Sequence, residues 1–392
     1  MAKNRIVVFT FLALVFISLV LRPPVAAIGP LVPELLKFEG LDLLQVGLLT
    51  SVSVICFGLG AFAGPWLVKK FGLNQALMLV LVALVASMAF RLIGGFIFLF
   101  SCTVVIGLAI AIGNVLIPTV VREKFPQRIE LITGIYVTLL AISASLAATI
   151  AVPTSDLFGS WRGALALWII PAVVAIIFWL PVTREKVERV EVTAEANNAS
   201  RKAVFRSPIT WSIVGFFGLQ STGFYAILNW LPSLLVSRGM SELEAGGLLG
   251  LTTFVGVPTA FLISLVIKRF KSLSVISVIV SSFTLTGLSI IWLNHDLIVL
   301  GCIITGFGFA ATFPLSLTLI GTRASNASQT TQLSALSQGV GYLIAALGTF
   351  LFGELARITG TWDLSLILMV SLTAIQIFTG YFAGRDRYIP AE

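Results

Sequence analysis

Twelve apolar runs of about 18 to 32 residues, each long enough for a helix to cross a bilayer core, which takes roughly 20, divide this chain of 392 residues and leave almost no water-soluble fold open to it. They cover approximately 6–37, 43–68, 74–91, 96–122, 129–153, 161–181, 208–236, 242–267, 273–293, 297–322, 329–356 and 363–383. Composition agrees: 58% of residues are hydrophobic, 11% are charged, and the mean hydropathy is +1.05. A soluble domain carries about 25% charged residues. Lys3 and Arg5 precede the first run as they would in a signal peptide, but eleven further runs make a retained first helix the expectation.

Charge sorts the loops. If the runs cross in alternation, nineteen of the 25 Lys and Arg residues fall on the side of both termini, among them Lys69, Lys70, Arg122, Lys124, Lys268, Arg269, Lys271, Arg385 and Arg387. Five fall opposite: Lys37, Arg91, Arg162, Arg238 and Arg357. The positive-inside rule then puts both ends in the cytoplasm of a cell-membrane protein. The same scatter of basic residues over many short loops accounts for the net charge of +8 without a nucleic-acid partner.

One basic residue, Arg22, belongs to neither side. It stands inside the first run, in "SLVLRPPVAAIGPLVP" from Ser18. Counted from Ile6 at about 1.5 Å per residue it lies about 24 Å along a helix, where a charge costs roughly 2.5 to 3.5 kcal/mol and ordinarily faces a cavity or a partner. Pro23 and Pro24 supply no N–H to the carbonyls of Leu19 and Val20, so the helix should bend beside the guanidinium and leave acceptors there. The acidic residues cluster at loops and helix ends. Two readings follow: a structural plug held by freed carbonyls, or a binding residue whose fork of donors suits a carboxylate or other planar anion.

The longest polar segment, Thr183 to Pro208, is mixed in charge, lacks apolar periodicity and reads as a disordered linker. It sets a bundle at 1–182 apart from a bundle at 208–392, with the linker at 183–207. The two halves repeat at an offset of 199 residues: Pro33 over Pro232, Leu35 and Leu36 over Leu234 and Leu235, Gly40 over Gly239, Gly47 over Gly246, Phe71 over Phe270, and Gly107 over Gly306. Asp42 with Gln45, and Ser241 with Glu244, form matching capping-box patterns. Six crossings return a chain to its starting side, so the repeat is parallel, an architecture known in secondary transporters. The expected fold is therefore all-α and integral to the membrane, with twelve transmembrane helices in two six-helix bundles.

The repeat also suggests which residues share Arg22's surroundings. Arg22 maps onto Ser221, which begins a helical stripe of Ser221, Tyr225 and Asn229, with Gln220 beside it. The eleventh run carries Ser334, Gln338 and Tyr342 at the same spacing, the fourth contributes Asn114, and the fifth Tyr136 and Ser143. Uncharged hydrogen-bonding groups around one cation suit a small monovalent solute; each alone would also serve as interhelical glue. Phe224, Trp230, Phe309 and Phe313 could stack a planar solute.

Other chemistries find no support. Cys56, Cys102 and Cys302 sit in apolar runs, and His295 lies in a polar loop, so neither a metal site nor redox chemistry is expected. No HExxH, GxSxG, P-loop or paired-carboxylate pattern occurs, so the reading is of a non-enzyme without cofactors. No sensor domain is in view. No titratable group stands convincingly in the path, which predicts uniport, anion exchange, or cotransport in which the solute carries the proton. The partners expected are a small-molecule solute and the lipid bilayer, for a monomer.

At the level of family, the chain resembles the major facilitator superfamily over essentially its whole length. The superfamily's loop motif GxxxDRxGRR is present in degraded form as "GPWLVKKFGLNQ" from Gly64, without the acidic residue and the charge relay attributed to it. A closer resemblance, to the cyanate and 2-nitroimidazole porters, rests on "LRPPVAAIGPLVP", "GNVLIPTVVREKFP" from Gly113, "GFYAILNWLPSLLVSRG" from Gly223 and "GTRASNASQTTQLSALSQGVGYLIAALG" from Gly321. The resemblance implies the major facilitator fold and a carrier of a small, planar or anionic solute by alternating access. The rival within the superfamily is an exporter of amphipathic drugs with Arg22 structural.

Overall fold

The computed structural model describes residues 2–41, 43–184, 194–270 and 272–390. Among them every regular element is helical. Among the described residues eleven helical segments are long and apolar enough to cross a membrane; the second expected run, 43–68, is occupied by two helices that meet at Phe62 and is not one of the eleven. The chain divides into two compact units, Met1–Pro126 with Ile135–Asn197, and Gln127–Gly134 with Asn198–Glu392.

In the first unit the opening helix α1 (Ala2–Val20) stops before the proline doublet, and the chain continues through α2 (Pro23–Ala26), a 3-10 turn (Gly29–Leu31) and α3 (Val32–Phe38). Then follow α4 (Leu43–Ala61), α5 (Ala63–Phe71), α6 (Leu73–Arg91), α7 (Phe96–Lys124), α8 (Ile129–Phe158) from Ile135 onward, α9 (Trp161–Ala166) and α10 (Ile169–Thr183). Helix α7 packs on α4 and α6, and α10 packs on α1 and α6. The second unit is built from α11 (Ala194–Arg206) from Asn198 onward, α12 (Pro208–Ser237), α13 (Glu242–Phe254), α14 (Gly256–Arg269), α15 (Leu273–Leu293), α16 (Ile298–Arg323), α17 (Ala327–Thr359) and α18 (Asp363–Gly384). There α16 packs on α13, α14 and α15, and α12 packs on α17 and α18.

The two units share specific bonds at equivalent places. Asn74 Nδ2 donates to the Val182 carbonyl at 3.1 Å, tying the start of α6 to the end of α10. Ser274 Oγ donates to the Tyr381 carbonyl at 2.9 Å, tying the start of α15 to the end of α18. These residues are 200 and 199 positions apart, so one clip occurs twice. Gly107 and Gly306 likewise mark equivalent close approaches. A Cβ on Gly107 would lie 2.8 Å from Cys56 Cβ on α4, and one on Gly306 would lie 2.1 Å from the Thr252 carbonyl oxygen on α13.

One pairing differs. Helices α12 and α17 meet backbone to backbone, since a Cβ on Gly218 would sit 3.2 Å from Gly341 Cα. The equivalent positions on α1 and α8 hold Leu19 and Ile142, and those helices approach less closely. Small residues set how near two transmembrane helices can come.

Two expectations change or fall away. Residues 194–206 of the expected structureless linker form α11, where Ala194, Ala196, Ala199 and Ala203 favour helix and Ser200 and Val204, one turn apart, are buried. Arg201 packs over the Phe205 ring at 5.6 Å, and Trp211 Nε1 donates to the Phe205 carbonyl at 2.9 Å. The rest of the linker, 185–193, and the capping residue Asp42 lie outside the described residues. The second capping box is present: Ser241 Oγ accepts from the Glu244 N–H at 3.3 Å while Glu244 Oε2 accepts from the Ser241 N–H at 2.9 Å.

Candidate functional site

The sequence that places Arg22 in the membrane also breaks the helix beneath it. The last regular bond of α1 in this stretch runs from the Leu21 N–H to the Ile17 carbonyl at 3.1 Å. Proline brings no N–H, and the next two donors, Val25 and Ala26, both turn to the Arg22 carbonyl, at 3.1 and 3.0 Å. Arg22 thus becomes the residue that caps α2, half-buried, within a span of mean hydropathy 2.4. Its guanidinium carbon lies 5.9 Å from the centre of the Phe57 ring on α4, inside the range of a cation–π contact.

Other expected residues of the first unit make specific bonds of their own. Tyr136 donates from its hydroxyl to Asn114 Oδ1 at 2.7 Å, with both side chains buried. Gly113, next to Asn114, faces Leu21, next to Arg22, with 3.4 Å between a Cβ built there and Leu21 Cδ2. Ser143 bonds the carbonyls of Leu140 at 3.1 Å and Ser18 at 3.4 Å, so it joins α8 to α1.

In the second unit the expected residues form two local pairs beside an aromatic wall. Gln220 Nε2 donates to Ser221 Oγ at 2.6 Å, and Gln338 Nε2 to Ser334 Oγ at 2.8 Å, all four buried. Tyr342 stands edge-on to Phe217 with ring centres 5.2 Å apart and 6.2 Å from Tyr225. Phe224 continues the wall, 5.3 Å from Tyr225 and 6.1 Å from Phe309. Asn229 departs from the group, being exposed two turns further along α12 than Ser221.

Sequence reasoning missed two ionic features. It placed Arg91 in a loop, whereas the side chain is 1% exposed and donates from Nη1 to the Pro24 carbonyl at 2.7 Å. An arginine at the end of an apolar run can turn back into it, and composition cannot tell that from an exposed loop residue. It also assigned no partner to Glu39, which accepts from the Gly95 N–H at 2.6 Å, Trp161 Nε1 at 3.1 Å and Arg162 Nη2 at 2.9 Å. Arg162 Nε in turn donates to the Leu92 carbonyl at 2.8 Å. In the second unit Arg238 donates to the carbonyl of Ile291, 199 residues beyond Leu92. Burial lowers the Arg238 pKa from the usual guanidinium value and nearby Asp363 opposes the change; the group stays charged.

Among the described residues no cluster of three or more His, Cys, Asp or Glu could hold a metal ion. The chain is 32% identical to the 2-nitroimidazole transporter of Escherichia coli (strain K12) over 387 residues, 99% of this chain and 98% of that one. It is 29% identical to the cyanate transport protein CynX of the same organism, over 93% of this chain and 96% of that one. The crystal structure of the fucose:proton symporter FucP of E. coli superposes with a TM-score of 0.76 at 14% identity, covering 97% of this chain and 100% of that one, a likeness of fold. The description of the Major Facilitator Superfamily matches residues 7–349, and with it the chain is established as a member of that superfamily, a multi-pass membrane transporter and not an enzyme.

Proposed function

We propose that this transporter moves a small, planar or anionic solute by alternating access and that Arg22 is the cation that meets it. The observation that carries the reading is the placement of Arg22 as cap of a broken helix inside a span. A half-buried guanidinium offers a fork of donors to a planar anion. Asn114 and Tyr136 would add neutral hydrogen-bonding groups in the first unit, and Gln220, Ser221, Tyr225, Gln338 and Tyr342 in the second; the exposed Asn229 is the weakest member. The relatives named for cyanate and 2-nitroimidazole carry one small anion and one planar heterocycle, and the wall of Phe217, Phe224, Tyr225 and Tyr342 suits the stacking of a flat ring.

The protein would work as a monomer in the cell membrane, both termini cytoplasmic. The test is thermal stabilisation of the purified protein by cyanate, acetate and 2-nitroimidazole. Ligand at about 100 times its dissociation constant adds about 2.7 kcal/mol to the folded state. An anion whose stabilisation of the wild type is largely lost in Arg22→Ala, with weaker but measurable binding remaining, supports the reading. Equal stabilisation of both proteins, or response only to bulky neutral compounds, makes Arg22 structural and favours the drug exporter.

Among the described residues no Asp or Glu is fully buried. Uptake into proteoliposomes is expected to change less than twofold when a pH gradient is imposed at constant substrate protonation. A steep response would require a titratable carrier group and would overturn this part of the proposal.

A further inference from the structure

The break in the first unit is held by a second buried cation. Arg91 comes from the end of α6, is 1% exposed, and gives Nη1 to the Pro24 carbonyl at 2.7 Å. That carbonyl is unused by its own helix, because the Ile28 N–H four residues on bonds to Val25 at 3.3 Å instead. A backbone carbonyl left unpaired at membrane depth is strongly unfavourable, so this donor stabilises the departure from helix next to Arg22.

A cap of that kind needs only a donor. Arg91 is nevertheless a full cation whose Nε and Nη2 find no partner among the described residues, and no described carboxylate forms an ion pair with it. Taking a guanidinium out of water for a single bond is costly, unless its length, geometry and charge serve the neighbouring site. Pro24 is two residues from Arg22 and belongs to the short helix that Arg22 caps.

We propose that Arg91 is a positioning residue: it fixes the Pro24 carbonyl, and thereby the backbone from which the Arg22 guanidinium meets its anion. The link to an anion rests on the function proposed above; the hold on the break does not.

The experiment measures amide hydrogen exchange at Val25–Ile28 and cyanate affinity in Arg91→Met and Arg91→Lys, each in wild-type and Arg22→Ala backgrounds. Arg91→Met is expected to speed exchange at these amides at least tenfold, since the break loses its tie. It should weaken cyanate binding about tenfold in the wild-type background and less than twofold in the Arg22→Ala background. Non-additivity of that size is what a shared mechanism predicts and a general loss of stability does not. Arg91→Lys, which keeps the charge and one long donor, should recover most of both effects. Unchanged exchange in Arg91→Met, or the same loss of affinity in both backgrounds, overturns the proposal. If Arg22→Ala alone leaves cyanate binding untouched, the reading of Arg22 has failed, and the exchange data still decide whether Arg91 holds the break. Should Arg91→Met not fold, Arg91→Leu, which likewise removes both donor and charge, replaces it with the same expected signs.

Discussion

Gly306→Val should melt well below the wild type in detergent, by about 10 °C, and should be extracted in poor yield. The position lies on α16, where a Cβ would come 2.1 Å from the Thr252 carbonyl oxygen and 2.9 Å from its carbonyl carbon. Both are backbone atoms, so no rotamer change relieves the clash; α13 and α16 must move apart or one must bend. Overpacking a core typically costs about 1 to 3 kcal/mol, occasionally more, and a backbone obstacle puts this site at the upper end. A loss of about 3 kcal/mol lowers the melting temperature of a domain of this size by roughly 6 to 12 °C. Gly250→Val, on the same α13 but with nothing within 4 Å of its Cβ, is the control and should behave as wild type. The equivalent Gly107→Val meets the Cys56 side chain first, so it should lose less. If Gly306→Val melts with the control, the close approach of α13 and α16 is wrong.

Much of this architecture is legible in the sequence because the bilayer imposes a length on each crossing and the offset of 199 residues fixes the order of the halves. The break at Pro23 and Pro24 is legible for a local reason, the missing N–H of proline, and it falls where expected. The bond between Tyr136 and Asn114 joins residues 22 apart on different helices; both stand out in the sequence as polar groups in apolar runs, but nothing in their spacing shows that they meet. Gln220 and Gln338 read in the sequence as groups for a ligand, and the structure has each bonded to a serine of its own helix, which periodicity cannot anticipate because it does not fix rotamers. Arg91 escaped because a basic residue at the end of an apolar run is counted by default as a loop residue. α11 was overlooked because low hydropathy was weighed above its run of alanines.

Exchanging the charges of Glu39 and Arg162 should be tolerated where removing either alone is not. Glu39→Ala is expected to cost about 3 kcal/mol, because it strips three donors of their acceptor at once: the Gly95 N–H, Trp161 Nε1 and Arg162 Nη2. Each partly buried donor left unpaired costs about 1 to 3 kcal/mol, less where water reaches it, and Arg162 is 41% exposed. The reason to expect rescue by the double exchange comes from the second unit. There the position equivalent to Glu39 is Arg238, 199 residues on, and it donates to the Ile291 carbonyl, the counterpart of the Leu92 carbonyl that Arg162 holds. Asp363, close to the counterpart of Arg162, supplies the negative charge that acts on Arg238 and accepts from Trp292 Nε1 at 3.3 Å. The same carbonyl is thus capped by an arginine in both units, and the acid and base have traded places. Glu39→Arg combined with Arg162→Glu would give the first unit the arrangement of the second. Its melting temperature should return at least halfway from the worse single variant to the wild type, with a coupling of 1 kcal/mol or more in the double-mutant cycle, within the roughly 0.5 to 3 kcal/mol seen for interacting pairs. A double variant no more stable than the worse single one would mean that the two caps are local accidents, and that the repeat does not extend to the ionic fastening of its helix ends.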